Sequence, residues 1–245
     1  MIQPHDAREV ERSSRIGTLL GVWAHPDDEA YLSSGLMAEV RDRGGRVVVV
    51  TATRGEHGTD DPRAWPPERL GPLREHELSA SLAEVGVVEH HWLTYRDGEL
   101  VDVPLDRGVA DLVPVLEAVR PDVVVTFGPD GMTGHADHRA VSAWATEAWR
   151  RAGRNAELWY ATLTPDFHRE WGDLNAQVGL WTTEPPVTPA PDLSAQVRLT
   201  GPALDRKHRA LRAHASQTRV LEDLVGAATY RRWWSVESFV AALRA

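Results

Sequence analysis

Through the first 150 residues the apolar positions switch between short continuous runs and a spacing of three to four. That alternation predicts βαβ units feeding an open, mostly parallel sheet flanked by helices, an α/β fold. Residues 16–23 and the β-branched run 47–51 read as strands, the second suited to burial on both faces. Between them Leu32, Leu36 and Val40 share a helical stripe that stops at Gly44-Gly45, giving a helix over 28–43. A segment from 54 to about 72, rich in Gly, Pro and charge, follows the second strand; so long an irregular stretch predicts a binding loop or lid.

Leu78, Leu82 and Val85 mark a second helix that ends at Gly86, residues 91–95 a third strand, and Arg96-Asp97-Gly98 a turn. Val109, Leu112, Val113, Leu116 and Val119 form a third stripe, in which Pro114 either kinks the helix or begins its regular part. Residues 122–127 predict the fourth strand, and Val141, Ala145 and Ala148 the helix after it. Past Arg154 the pattern weakens to a strand over 158–163, a proline-rich loop over 184–191 and helices over 203–215 and 236–243. One domain over 1–245 is the expectation, with residues 1–15 as a polar extension.

Composition narrows the chemistry. A net charge of −9 opposes a nucleic-acid surface, which needs clustered Lys and Arg. No apolar run is long enough to span a bilayer, and residues 1–15 lack the layout of a secretory signal, so a cytoplasmic location is expected. The chain has no cysteine, which removes disulfides, thiolate metal clusters and cysteine nucleophiles; any metal must sit on His, Asp or Glu.

Two motifs carry candidate chemistry. Ala24-His25-Pro26-Asp27-Asp28-Glu29 lies where the first strand ends and its helix begins, and ligands of open parallel sheets bind at that edge. His25 and Asp28 can face one metal while Asp27 faces the same cavity unbound. Gly134-His135-Ala136-Asp137-His138 follows the fourth strand, with His135 and His138 on neighbouring positions of one helical face. Acidic capping of a helix would account for the first cluster alone, and a pair of surface histidines for the second. Both clusters fall on the same sheet edge although over a hundred residues apart. Two His and one carboxylate with an open position form a catalytic zinc arrangement, and His25, Asp28 and His138 satisfy the count. Magnesium and calcium prefer an all-oxygen shell, whereas iron and cobalt remain compatible with this set.

On these motifs the chain resembles the LmbE-like, PIG-L-type family of zinc-dependent de-N-acetylases, which includes deacetylases of mycothiol and bacillithiol synthesis. The likeness runs from about Arg15 to Ala145, with a weaker stretch at Lys207, Ala210, His214, Ser216 and Gln217. It implies a Rossmann-like sheet, one zinc on His25, Asp28 and His138, Asp27 as general base and His135 as second catalytic group. Arg74 and Asp97 resemble substrate contacts of sugar-processing relatives; a solvated helix charge and a turn aspartate are their alternative readings. Thr133 stands where some relatives carry a tyrosine. Asp137 is a candidate partner of His135 or of a ligand, and His57 and Trp65 are candidates in the lid.

The implied reaction is hydrolysis of an N-acyl, foremost N-acetyl, amide on a small amino-sugar conjugate. An amidase acting on a larger thiol- or sugar-conjugate amide is the alternative within the same chemistry. A non-catalytic sugar- or metal-binding module is the alternative from another class, opposed by Asp27, since a pure binder needs no unligated base.

Overall fold

The computed structural model describes residues 16–242; the polar extension 1–15 lies outside them. Five parallel strands, β1 (Thr18–Trp23), β2 (Arg46–Thr51), β3 (Glu89–Trp92), β4 (Val123–Phe127) and β5 (Glu157–Thr162), form most of one seven-stranded sheet. β6 (Ala195–Arg198) and β7 (Val236–Ala241) complete it in the order β3-β2-β1-β4-β5-β7-β6, β7 lying antiparallel to both its neighbours. Every residue of β4 is buried, as its Val-Val-Val-Thr-Phe run predicts for a strand covered on both faces. Strand order reverses between β1 and β4, which pair directly from Leu19↔Val123 to Gly21↔Val125. Both motifs therefore leave the sheet at its topological switch point, the position at which open α/β sheets bind ligands.

The crossover helices are α1 (Asp28–Leu32), α2 (Ser34–Asp42), α3 (Pro67–Glu84), α4 (Leu105–Val119), α5 (Ala136–Arg151) and α6 (Pro165–Val178). α7 (Gly201–Ala213), α8 (Ala215–Val225) and α9 (Ala227–Trp233) lie between β6 and β7. No described helix is long and apolar enough to cross a membrane.

Several boundaries differ from the sequence reading. The single helix expected over 28–43 breaks at Ser33, because Glu237 of β7 accepts the amides of Gly35 and Leu36 and so caps a second helix. The buried Lys207 ammonium donates to Glu237 and to the carbonyl of Tyr31, holding the break from its other side. The helix expected over 236–243 is instead strand β7 as far as Ala241, with Leu243 outside the described residues; the slot between β5 and β6 supplies it with partners along both edges. The irregular segment after β2 is shorter than expected, since α3 begins at Pro67, where a proline at the first helical position leaves no amide to satisfy. α4 begins at Leu105 and continues through Pro114. The third strand covers Glu89–Trp92 rather than 91–95.

Candidate metal centre

Chain direction at the end of β1 is set by Asp27, whose φ of 114° is in the left-handed region that L-residues rarely occupy. The reversal there sends the two neighbouring aspartates different ways. Asp28 turns back so that its carboxylate accepts the His25 amide at 2.8 Å and faces the rings of His25 and His138. Asp27 turns towards α3, where it accepts from Arg74 at 3.1 Å.

Three donors converge where the motifs meet. His25 Nδ1 is 3.2 Å from His138 Nε2 and 3.7 Å from Asp28 Oδ2, and His138 Nε2 is 3.4 Å from Asp28 Oδ1. Tetrahedral zinc with bonds of about 2.0–2.1 Å holds its donors about 3.3 Å apart, so the two ring nitrogens lie at the spacing of ligands around one ion, with one oxygen of Asp28 near each. The donor set, two imidazole nitrogens and a carboxylate, suits zinc or another first-row transition metal better than magnesium or calcium. His135 also brings a ring nitrogen close enough to His25 and His138 to belong to the cluster, but its ring is exposed while the other two are buried.

The rings are fixed from behind. His138 Nδ1 donates to the carbonyl of Gly131 at 3.0 Å, which leaves Nε2 free to ligate, and the ring stacks on Phe127 of β4 with centroids 4.1 Å apart. His25 points Nε2 at two carboxylates, Asp97 at 3.1 Å and Asp137 at 3.2 Å. Asp137 in turn accepts the amides of Gly98 and Leu100, and Asp97 accepts that of His57. His25, Asp97 and Asp137 could themselves group around an ion, but backbone amides already occupy these carboxylates, so they orient the His25 ring.

Electrostatics follow from that arrangement. Burial opposes charge on His25, yet the hydrogen bonds it donates to Asp137 and Asp97 and the charge of Asp28 outweigh it and push its pKa up to about 10. Burial raises Asp28 to about 7 despite the pull of His25. Asp27 is also raised, by burial, with Arg74 as the main opposing charge. Burial and the charge of His25 hold His135 and His138 below the ordinary histidine value. His135 is the N-cap of α5: its Nδ1 accepts the Asp137 amide at 3.2 Å, so in the neutral ring Nε2 carries the proton.

Arg74 and Asp97, the candidate sugar contacts, both lie beside the cluster. Both are buried, Arg74 donating to Asp27 and to the carbonyls of Gly55 and Pro26, and Asp97 holding His25. Asp137 serves His25 rather than His135 through its carboxylate. Thr133 sets its hydroxyl 3.3 Å from His138 Nδ1. His57 lies exposed beside Asp97, and Arg69 covers one face of Trp65 at 4.4 Å. Sequence reasoning missed the contribution of residues 181–183. Thr182 donates twice to the carbonyl of Thr133, laying the 181–183 segment against the loop that carries His135. A cavity of about 450 Å³ lies at the opposite sheet edge, where Asp122 is engaged by the amides of Gly17 and Thr18.

Residues 20–149, which contain both motifs and the whole donor cluster, match the family PIG-L, GlcNAc-PI de-N-acetylase. The chain belongs to the PIG-L family. Among PIG-L relatives, a 1D-myo-inositol 2-acetamido-2-deoxy-alpha-D-glucopyranoside deacetylase of Rhodococcus erythropolis is 33% identical over 82% of this chain and 81% of its own length. The enzyme of the same name from Streptomyces scabiei is 37% identical over 67% of this chain, a match that spans just over half, 56%, of that relative. The fold is shared with the N,N'-diacetylchitobiose deacetylase of Pyrococcus horikoshii, at a TM-score of 0.67 and 22% identity over 99% of this chain and 94% of that one. A conserved protein of Thermus thermophilus superposes with a TM-score of 0.61 at 25% identity, over 93% and 95% of the two chains.

Proposed function

We propose that this PIG-L chain is a zinc-dependent deacetylase that hydrolyses the acetamide of a small N-acetylglucosaminyl conjugate, with a glucosaminyl-inositol as the first candidate. The observation that carries the reading is the convergence of His25, Asp28 and His138 at ligand separations, with the carboxylate of Asp27 alongside and turned away from the ring nitrogens. The names of the Rhodococcus and Streptomyces relatives supply the substrate class.

His25, Asp28 and His138 would hold the metal, whose chemistry is to acidify a water and polarise an amide carbonyl. Asp27 is placed to take the water proton as the attack proceeds; Arg74 fixes the carboxylate at one oxygen and leaves it partly open, its side chain 18% exposed. His135, exposed at the mouth and carrying its proton on Nε2, donates a hydrogen bond to the developing oxyanion. Asp27, protonated in the first half of the reaction, returns that proton to the leaving amine. Asp97 and Asp137, by holding His25 Nε2, would leave Nδ1 to face the metal.

The test is side-by-side incubation with 2-acetamido-2-deoxy-glucopyranosyl inositol, N-acetylglucosamine and an O-acetyl ester of similar size, with acetate and free amine measured by mass spectrometry. The expected result is acetate from the inositol conjugate, abolished by a chelator and restored by zinc. Preferential release from the ester, or turnover indifferent to the chelator, rejects the reading.

A further inference from the structure

Glu29 closes the His25–Glu29 motif, yet none of the chemistry above uses it. It is wholly buried, and its carboxylate faces inward on three donors. Oε2 accepts the backbone amide of Asp27 at 3.0 Å; Oε1 accepts the Ser81 hydroxyl of α3 at 3.1 Å and His214 Nε2 at 2.8 Å. His214, at the junction of α7 and α8, is equally inaccessible, and its Nδ1 has no hydrogen-bond partner. A buried polar ring with half its hydrogen-bonding capacity unused costs stability unless another role retains it.

That role follows from the amide Glu29 holds. Asp27 is the residue at φ 114°, a conformation that costs about 1–3 kcal/mol and persists only where its surroundings over-determine it. Relaxing φ would rotate the peptide and carry the Asp27 carboxylate away from Arg74. No side chain caps α1 at this point, so the Glu29 carboxylate is the group that occupies the Asp27 N–H. Glu29 is itself kept from rotating by Ser81 and His214, which approach from different helices.

We propose that Glu29 and His214 are positioning residues that lock the backbone of Asp27 in its left-handed conformation, so that its carboxylate stays beside the metal ligands without becoming one. The lock rests on the assignment of Asp27 as general base, and it brings residues beyond the matched span 20–149 into the working of the site. The C-terminal helices thus hold the base as well as filling the fold.

Zinc-loaded wild type, His214→Ala and His214→Gln separate this role from general packing. The Gln side chain can return an N–H donor to Glu29. His214→Ala is expected to keep its zinc and KM within about twofold while kcat on the glucosaminyl-inositol acetamide falls about 10- to 100-fold, with His214→Gln recovering most of the loss. Crystal structures of the same proteins are expected to show Asp27 out of its positive φ and off Arg74 in the Ala variant, and back in place in the Gln variant. Wild-type kcat in His214→Ala, an unmoved Asp27, loss of zinc in step with kcat, or a folded His214→Gln that recovers nothing each overturns the proposal. Should His214→Ala not fold, Ser81→Ala carries the test, with a several-fold loss of kcat expected and no loss overturning it. A wild-type protein that releases no acetate defeats the functional reading alone, since the conformation of Asp27 in the variants still decides the lock.

Discussion

Asp27 and Asp28 are adjacent carboxylates with different surroundings, and the difference is testable one residue at a time. Asp28→Ala and His138→Ala each remove a donor of the cluster and are expected to lose stoichiometric zinc by elemental analysis. Asp27→Asn keeps the donors and the Arg74 contact, so zinc and fold should persist while kcat falls by about 10²–10⁴. His135→Ala should retain zinc as well and lower kcat without a matching rise in KM. Near-full turnover by Asp27→Asn would reduce Asp27 to a structural role and require another base.

Protonation at the same residues sets a pH dependence of known sign. In the metal-free protein Asp28 holds its proton up to about 7 and His25 up to about 10, above their unfolded values of 3.8 and 6.5. The folded state then binds more protons than the unfolded chain across both windows. The stability these two groups contribute is complete below the lower unfolded value and declines as pH rises through 7 and then towards 10. Thermal melts of metal-free protein should fall accordingly over this range. A metal held as proposed would take the place of the His25 proton, so its affinity should weaken on acidification, and calorimetry in buffers of different ionisation enthalpy should register proton release on binding at about pH 8.

At the scale of elements, the site depends on how the 181–183 segment meets the loop before α5. Gly134 has φ 82°, and a Cβ there would stand 2.5 Å from the hydroxyl oxygens of both Thr182 and Thr183. Gly134→Ala therefore combines backbone strain with a clash and should displace His135. The expected outcome is a lower melting temperature and a loss of kcat of about tenfold or more, with zinc content unchanged. Unchanged kcat would mean that the loop adapts without moving the ring.

The break between α1 and α2 is a second element-level device. It requires Glu237 as a cap and Lys207 as the counter-ion, both buried and 2.6 Å apart. Lys207→Met leaves a buried carboxylate unpaired and should cost about 3–5 kcal/mol in urea unfolding, far more than a surface charge change. A loss below about 1 kcal/mol would show that the cap holds without its counter-ion.

For the whole molecule, sequence alone determined the two motifs and the sheet edge on which they lie. His25, Asp27, Asp28, His135 and His138 stand in two short motifs, each directly after a strand whose apolar run is unmistakable, and local spacing suffices to read them. The parallel core from β1 to β5 was legible for the same reason, because burial on two faces forces continuous Val-rich runs. Tertiary structure decided what spacing does not encode. β1 and β4 became neighbours through strand pairing, and that adjacency brings His25 and His138 of the two motifs to 3.2 Å. Asp97, Asp137 and Arg74 took their partners from elements far away in sequence, since a buried charge must be matched by whatever the packing brings beside it. Residues 236–241 became a strand because two edges were waiting for one, an outcome their own pattern did not express. His214 came to rest behind Asp27 by the same long-range packing, which only the folded chain specifies.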